Sequence, residues 1–343
     1  MLSSGIDSLY VSFSGEVGTE CLDLLEVSKA MAQGSGQPTV LDLDARKTLL
    51  QPHGWGSYRY WLRCGDFDVF IGHGKGLPAI YARIASAFIH EVGADSALAE
   101  LRTFAQVAFL PKLAGLLCSR VDIYVDFQGW APRPHDYDRF VTRSRRNTSH
   151  IAIHHDGRQF TGFTFGRDAL VARLYDKGAE IKRSGKDWMS TVWGDRLDPL
   201  RPVWRLEFQV RREVLAQCSL QEPEDALQRR QDLWAYATRW LSLRSPRPIE
   251  RRTRWPVANA WAQLSRAALE SPHSSLVRQR IRKHKESVLI RGLAGYASSL
   301  AAVAGVSDLD VAMLVSRRRV GEYMDATGRD FREVVQAKRE RLA

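Results

Sequence analysis

Apolar and polar residues alternate with a period of two in several short segments of the chain, and this pattern predicts β-strands. The stretch "SLYVSFSGEV" near the start alternates in this way. The segments "YRYWLRCGDFDVFIGHG" and "HIAIHHDGRQFTGFTFG" each contain two alternating runs joined by a short polar turn. Each therefore predicts a β-hairpin, the first turning around Gly65 and the second at Asp156 and Gly157.

Three further segments predict strands that have one apolar face and one charged face. They are "SRVDIYVDF", "LVARLYDKGAEI" and "VWRLEFQVRREVL". The residues that share the polar face of each strand are Asp122, Tyr124 and Asp126 in the first, Arg173, Tyr175 and Lys177 in the second, and Arg205, Glu207, Gln209 and Arg211 in the third. A sheet that is covered by helices on one face and open on the other gives this alternation.

Helical spacing is found between and after these strands. It predicts helices in "CLDLLEVSKAMAQ", in "SALAELRTFAQVAFLPKLAGLL" with an interruption near Pro111, from Asp136 to Arg146, and through most of the chain after Asp225. Because strands, hairpins and helices are intermixed, we predict an α+β fold with an antiparallel sheet. We place a domain boundary at residue 244, before the Pro- and Arg-rich segment "RSPRPIERRTRWP".

The charge of the chain is concentrated in its last hundred residues. The 343 residues have a formal net charge of +11, and Arg244 to Ala343 hold 20 Lys/Arg against 10 Asp/Glu. Runs of this kind are often solvated helix faces, but their concentration here, with Trp255 and Trp261 nearby, favours contact with DNA phosphates. The candidate DNA-binding residues of this segment are Arg251, Arg252, Arg254, Arg280, Arg282, Lys283, Arg317, Arg318 and Arg319.

The cysteines and the chain start indicate a cytoplasmic protein. Cys21, Cys64, Cys118 and Cys218 form no closely spaced pair, so a zinc finger is not expected, and scattered cysteines are typical of a reducing compartment. The opening "MLSSGIDSLYVSF" lacks the basic and apolar regions of a signal peptide. The apolar run that begins at Gly292 is too short and too rich in Gly, Ala and Ser for a membrane span, so we expect no membrane partner.

The polar strand faces suggest phosphoryl chemistry. Carboxylates that lie close together repel unless a cation joins them, and Mg²⁺ or Mn²⁺ takes oxygen ligands of this kind. Asp122, Asp126 and Glu207 are the candidate metal ligands. Arg173 and Arg205 are candidates to hold DNA phosphate oxygens.

Tyr175 lies between two cations in the sequence pattern. We expect Arg173 and Lys177 to lower the pKa of its phenol and so to favour it as a nucleophile. The alternative from the residues alone is an amphipathic surface strand and ordinary salt bridges.

The blocks "SRVDIYVDF", "TGFTFGRDALVARLYDKGAEI" and "VWRLEFQVRREVL" resemble the rolling-circle replication initiation factors of the Rep_trans type, in the order found in that family. The family includes plasmid and filamentous-phage initiators and relaxases of some conjugative elements. The resemblance runs from about Ser3 to about Arg244. It implies a fold related to the HUH endonucleases, a catalytic tyrosine and a divalent metal.

Carried over by position, the resemblance makes Tyr175 the nucleophile and Lys177 its companion, with Asp122, Asp126 and Glu207 near the metal. Asp7, in "GIDSL", is a weaker candidate near the same ion. The reaction implied is nicking of one DNA strand at an origin, with the 5′-phosphate kept on the tyrosine and a 3′-OH released. Later transfer rejoins the strand.

Two other motifs do not predict the sites that they superficially match. His150 and His154 share a strand face but lie roughly 13 Å apart, which argues against a joint metal site. The run "GHGKG" lacks the spacing of a P-loop. We therefore expect no ATPase activity, so a host helicase would unwind the DNA, and a homodimer is possible.

Two rival functions stay open, and so do two rival nucleophiles. A non-catalytic DNA-binding regulator and a metal nuclease that uses water could share the same fold. Tyr124, and less plausibly Tyr60, are the other tyrosines on nearby predicted strands.

Overall fold

The structure is a computed structural model that describes residues 1–72, 76–143, 151–269, 286–328 and 330–342. The chain divides into two compact units. The first contains the described residues up to Leu269, and the second contains those from Glu286 onward.

An antiparallel sheet forms the centre of the first unit, with eleven strands among the described residues. In chain order the strands of the unit are β1 (Ser3–Glu16), β2 (Thr39–Leu43), β3 (Arg46–Leu50), β4 (Tyr60–Arg63), β5 (Phe67–Ile71), β6 (Ile80–Ile84), β7 (Lys112–Phe127), β8 (Phe140–Thr142), β9 (Ile151–Asp156), β10 (Gln159–Phe165), β11 (Leu170–Asp176), β12 (Trp204–Arg211) and β13 (Leu241–Leu243). The order across the large sheet is β2-β3-β4-β5-β6-β1-β7-β12-β11-β10-β9, while β8 and β13 pair separately.

Helices connect and cover these strands. They are α1 (Thr19–Ser35), α2 (Ser86–Val92), α3 (Ala94–Ala108), α4 (Lys177–Ser184), α5 (Met189–Trp193), α6 (Arg212–Gln217), α7 (Pro223–Gln228), α8 (Arg230–Trp240) and α9 (Asn259–Ser265) in the first unit, and α10 (Glu286–Ala304), α11 (Leu309–Ala326) and α12 (Phe331–Leu342) in the second. Strands and helices are intermixed, so the predicted α+β fold with a large antiparallel sheet is confirmed.

The local predictions succeeded where the period of two was clear. Both hairpins form, and positive φ angles at Gly65 (81°) and Gly157 (57°) make their turns. The helix expected across Pro111 is wrong after that residue, because the chain enters β7 at Lys112 and pairs with β1. The helix expected from Asp136 is also wrong: a 3₁₀ turn ends at Arg139 and β8 follows, while residues 144–146 lie outside the described part.

The apolar face of the central strands packs against helices. Val121, Ile123 and Val125 of β7 are fully buried, and Phe208 of β12 meets the Trp234 ring of α8 at 5.3 Å between centroids. The polar face is covered only in part. Leu2, Ile181, Met189, Trp193 and Val203 form a small apolar cluster, and Trp193 and Met189 of this cluster contact Asp126 and Arg205 of the polar face.

The compact first unit extends beyond the domain boundary that we expected at residue 244. Trp261 of α9 is buried, and its Nε1 donates to the carbonyl of Thr238 at 3.1 Å. The Trp234 Nε1 donates in turn to the carbonyl of Leu264 at 2.9 Å. The segment up to Leu269 is therefore an integral layer of the first unit.

Within the described ranges, no single helix combines the length and the apolar composition that a membrane span requires. One pair, Leu293–Ala304 and Leu309–Ala326, meets the length and composition criteria when taken together, with a bend of 92° between its halves.

Candidate active site

Three neighbouring strands bring the predicted polar faces together. Tyr175 of β11 stands opposite Arg205 of β12, and Arg173 stands opposite Glu207. On the other side of β12, Glu207 faces Tyr124 of β7, and Arg205 faces Asp126. Side chains at directly opposed positions project from the same face of a sheet. The period of two therefore predicted which residues meet in β7, β12 and β11.

A cleft of about 580 Å³ opens on this face. Tyr175 and Glu207 line it together with Asp7 and Asp122. The cations that line the same cleft are Arg120, Arg173, Arg183 and Lys186. Basic side chains around a group of carboxylates suit a substrate that brings its own negative charge, such as a phosphodiester.

Tyr175 and Glu207 form the central contact of the cleft. The Tyr175 hydroxyl donates to Glu207 Oε2 at 3.1 Å, and Arg173 Nη1 lies 3.5 Å from Oε1. Burial raises the pKa of Glu207 to about 7, and the negative charges of Asp7 and Asp122 act in the same direction. A carboxylate with a pKa near neutrality, hydrogen-bonded to a hydroxyl, is a suitable proton acceptor.

The surroundings of Tyr175 do not lower the pKa of its phenol. Burial raises its pKa well above the ordinary value, and the charge of Glu207 raises it further, while Arg205 opposes both. Our expectation that Arg173 and Lys177 lower this pKa is therefore wrong. Tyr175 has to lose its proton while it reacts, because a free phenolate is too costly here.

Lys177 lies near the Tyr175 ring, and its ammonium group binds Glu180. The strand ends at Asp176, whose side chain accepts from the backbone N–H of Ala179 at 2.9 Å and so caps α4. Lys177 is thus the first residue of a helix and not the next strand position. Its Nζ donates to Glu180 at 2.6 Å and lies 5.8 Å from the Tyr175 ring centroid.

Asp126 and Arg205 form a buried bidentate ion pair. Arg205 Nε and Nη2 donate to the two Asp126 oxygens at 2.6 and 2.8 Å. Ser3 Oγ and Trp193 Nε1 also donate to Asp126, both at 2.9 Å. Arg205 has no exposed surface and lies 3.8 Å from the Tyr124 ring centroid. This placement does not support a metal role for Asp126 or a DNA contact by Arg205; it fits the salt-bridge alternative.

Asp122 and Asp7 differ in how many of their carboxylate oxygens accept hydrogen bonds from arginine. Both oxygens of Asp122 accept from Arg120, at 2.8 and 2.5 Å. Asp7 accepts from Arg205 and, at 3.2 Å, from Ser86 through Oδ1. Burial alone would raise the pKa of Asp7, but the charges of Arg205, Lys177 and Lys186 together outweigh it and the pKa falls to about 2. Asp7 is therefore ionised at neutral pH.

No group of three or more His, Cys, Asp or Glu side chains within the described ranges is arranged to hold a metal ion. A Mg²⁺ ion often takes only one or two protein carboxylates, with water and phosphate completing its shell. Among the described residues, Ser8 contacts Asp7 Oδ2 at 3.4 Å and Arg173 contacts Glu207 Oε1 at 3.5 Å, and neither oxygen accepts a shorter hydrogen bond from them. These two oxygens fit such an open site better than Asp126 does.

The remaining predicted residues fall into separate places. His154 lines the cleft and its Nε2 lies 2.8 Å from Thr164 Oγ1, while His150 lies outside the described residues. Tyr124 is buried and does not line the cleft. The Tyr60 hydroxyl donates to Glu26 at 2.6 Å, away from the cleft lining.

The basic candidates of the last hundred residues have different surroundings. Arg251, Arg252 and Arg254 are exposed on the first unit, and Arg317, Arg318 and Arg319 are exposed on α11 of the second. Arg280, Arg282 and Lys283 lie outside the described residues.

The sequence did not predict some of the residues that line the cleft. Arg183 lies on α4 and Lys186 just after it, and α4 begins within the segment "LVARLYDKGAEI" for which the spacing predicts a strand. The capping position of Asp176 is the signal that could have revealed this helix. Asp7 sits where the pairing of β1 with β7 shifts between Ile6 and Ser8, and no simple pattern predicts such a bulge.

Comparisons with known proteins give one structural likeness. No protein-family model and no curated protein matches the sequence. The chain is similar in structure to a rolling circle replication initiator protein from Geobacillus stearothermophilus, with 16% identity and a TM-score of 0.44, over 81% of this chain and 99% of that one. At this level the likeness carries no argument about function.

Proposed function

We propose that this protein is a DNA nicking and joining enzyme that starts rolling-circle replication. The observation that carries the proposal is the hydrogen bond from the Tyr175 hydroxyl to Glu207, in a cleft lined by cations. The resemblance of the three sequence blocks to the rolling-circle initiation factors supports it, because Tyr175 and Glu207 are the positions which that resemblance assigns to the reaction.

The proposed reaction exchanges one phosphodiester bond for another. Tyr175 Oη attacks the phosphorus, and its proton passes to Glu207 Oε2. The bond between phosphorus and the 3′-oxygen breaks, and Glu207 or the solvent supplies the proton with which that oxygen leaves as a 3′-OH. The 5′-phosphate stays on Tyr175. In the reverse step a 3′-OH attacks the phosphorus and gives its proton to Glu207 or the solvent, the bond between phosphorus and Tyr175 Oη breaks, and Oη takes up a proton from Glu207.

Transfer of the proton to Glu207 explains how a tyrosine with a raised pKa can react. Burial raises the pKa of Glu207 to about 7 in the metal-free site, and a bound cation would favour its ionised form, which is the form that accepts a proton. Arg173, Arg183 and Lys186 line the same cleft and would hold the phosphate oxygens, which offsets the charge that builds up during attack. We assign Lys177 a positioning role, since its contacts are with Glu180 and the Tyr175 ring.

Mg²⁺ or Mn²⁺ remains part of the proposal. Asp7 and Glu207 would hold the ion through Oδ2 and Oε1, to which the described residues make no short contact, with water and the substrate phosphate completing the shell. When bound, such an ion polarises a phosphoryl oxygen. Asp126 would keep Arg205, and through it Asp7, in place.

The decisive experiment is detection of a covalent adduct between the protein and origin single-stranded DNA. Tyr175→Phe removes one hydroxyl, so we expect folding and DNA binding to survive while nicking and the adduct are lost. Tyr124→Phe is the matched control and should still form the adduct, because Tyr124 does not line the cleft. Mass spectrometry of the digested adduct locates the modified tyrosine.

The possible outcomes separate the rival functions. Nicking without an adduct would indicate a nuclease that uses water, and DNA binding without nicking would indicate a regulator. A nucleotide attached to Tyr124 would show that Tyr175 is not the nucleophile. The relaxase of a conjugative element would use the same chemistry, so a positive result establishes the reaction for either biological role.

A further inference from the structure

A cluster of aromatic rings lies on the same sheet, on the strands β4, β5, β6 and β1 and on the loop between β3 and β4. We call Trp55, Trp61, Phe70, Tyr81 and Tyr10 the ring platform. The Phe70 ring lies 5.9 Å from Trp61 and 6.0 Å from Tyr81, and Tyr81 lies 6.0 Å from Tyr10. Trp61 pairs with Phe70 across β4 and β5, and Phe70 pairs with Tyr81 across β5 and β6. The rings therefore follow one row across the sheet.

Trp55 lies on top of this row and faces solvent. Its ring is stacked on Tyr81, with an angle of 7° and 5.7 Å between centroids, and lies 4.6 Å from Phe70. Backbone bonds between Trp55 and Tyr58, at 3.0 and 2.9 Å, fold the loop back over the sheet. Trp55 is nevertheless 45% exposed, whereas Phe70 beneath it is 4% exposed. A large flat ring is thus held rigidly with much of its surface in water.

Arginine side chains lie next to the ring platform at both of its ends and on its neighbouring strands. The Arg63 guanidinium lies 5.9 Å from the Trp61 ring, and that of Arg120 lies 4.5 Å from the Tyr10 ring. Arg83 is opposite Tyr10 on β6, and Arg211 is opposite Arg120 on β12. Two carboxylates pair with these four cations: Asp68 binds Arg63 and Arg83, and Asp122 binds Arg120. The cations outnumber the carboxylates, so the patch suits an anion.

Arg120 links the ring platform to the catalytic cleft. It lines that cleft beside Asp122 and at the same time covers the Tyr10 ring. A ligand that leaves the cleft past Arg120 would therefore reach Tyr10, Tyr81 and Trp55 without crossing to the other face of the sheet. The ligand has to combine flat unsaturated rings with regularly spaced negative charges.

We propose that the ring platform binds a single-stranded segment of DNA, with a base stacked on Trp55 and the backbone held by the neighbouring arginines. Stacking on an exposed aromatic ring requires an unpaired base, since bases within a duplex already stack on each other. The proposal deepens the proposed function, because it names where the strand beside the nick site is held. A protein partner would not need both the alternating cations and a flat exposed ring.

The test measures binding of a fluorescently labelled oligothymidine to the full-length protein, without any chemical step. Trp55→Ala is expected to weaken the affinity roughly 5- to 150-fold, the range that loss of one stacking ring produces. Trp55→Phe keeps a ring and should retain most of the affinity. Leu49→Ala is the matched control, because Leu49 is also an exposed apolar residue, at 41%, opposite Arg63 on the adjacent strand β3.

A second variant tests the charge of the patch. Arg211 is exposed, so Arg211→Gln should fold normally. Loss of one phosphate contact should reduce the slope of log affinity against log salt by about 0.7 for a single strand. An unchanged oligothymidine affinity in Trp55→Ala would overturn the proposal. So would an equal loss in Trp55→Ala and Leu49→Ala, or an equal loss of duplex binding.

Failure of this inference can be told from failure of the proposed function. If Trp55→Ala binds oligothymidine normally while Tyr175→Phe loses the covalent adduct, the enzyme stands and the ring platform is not its strand site. If no adduct forms in any variant but Trp55→Ala loses oligothymidine binding, the strand site stands and the proposed chemistry does not.

Discussion

At the scale of single residues, Asp126 and Glu207 are both buried carboxylates but have opposite surroundings. Asp126 accepts two hydrogen bonds from Arg205 and one each from Ser3 and Trp193, so its charge is fully matched. Glu207 has one short hydrogen bond, from Tyr175, and its charge is opposed by other carboxylates. The first arrangement stabilises a fold, whereas the second leaves a group ready to accept a proton.

Replacing Asp126 should therefore destabilise the protein. Asp126→Asn leaves the Arg205 guanidinium buried with only part of its counter-charge, and breaking such a pair costs about 3 to 5 kcal/mol. Denaturant unfolding measures the loss. Asp68→Asn is the control: Asp68 also pairs with arginine, but its partners Arg63 and Arg83 are half-exposed, so we expect a loss of about 1 kcal/mol or less. A normally stable Asp126→Asn protein with altered metal dependence would instead restore Asp126 as a metal ligand.

Glu207 should make the stability of the metal-free protein fall as pH rises. Its pKa is raised from 4.5 to about 7 in the folded state, so between these values the folded state binds more protons than the unfolded state. The free energy of unfolding then decreases by up to about 1.4 kcal/mol per pH unit across this window. This contribution is present below pH 4.5 and lost above 7. Unfolding at several pH values with a chelator, in the wild type and Glu207→Gln, isolates it.

A divalent ion should remove this pH dependence. A cation held by Asp7 and Glu207 favours the ionised carboxylate and so lowers the pKa of Glu207. Repeating the unfolding series with Mg²⁺ should flatten the slope in the wild type and leave Glu207→Gln unchanged. An identical slope with and without Mg²⁺ would argue against metal at this site.

At the scale of elements, the strands that carry the site could be predicted from the sequence. The polar faces of β7 and β12 alternate strictly, and burial of the intervening Ile123 and Phe208 requires this register. What the pattern could not supply was the end of β11. Spacing alone extends the predicted strand through Lys177 to Ile181, but the Asp176 cap begins a helix at Lys177. The start of β7 was missed because pairing with β1 outweighed the local helical spacing.

The sequence pattern also could not predict the roles of the individual carboxylates or the direction of the Tyr175 pKa shift. The residue types were visible in the sequence, yet which carboxylate binds an arginine depends on contacts far apart in the chain. Arg205 bridges Asp7 and Asp126, which are 119 positions apart in sequence. Burial likewise reversed the expected direction of the Tyr175 pKa, because desolvation outweighs the neighbouring cations.

At the scale of the whole molecule, the basic excess is not evenly spread over the last hundred residues. Residues 244–269 contain 6 Lys/Arg against 1 Asp/Glu, whereas residues 286–343 contain 9 against 8. The first of these ranges packs into the first unit. DNA contact is therefore expected more strongly from the first unit than from the helices α10 to α12.

Two matched triple variants test this distribution. Arg251, Arg252 and Arg254 are exposed in a segment with few acidic residues, so replacing all three with Ala should weaken duplex binding. Each lost phosphate contact removes about 0.9 from the slope of log affinity against log salt, or up to about 2.7 for three. The same change at Arg317, Arg318 and Arg319 should have a smaller effect, because Arg318 and Arg319 both pair with Glu322 at 2.9 and 3.0 Å. If the second variant flattens the slope more than the first, the main duplex surface lies on α11.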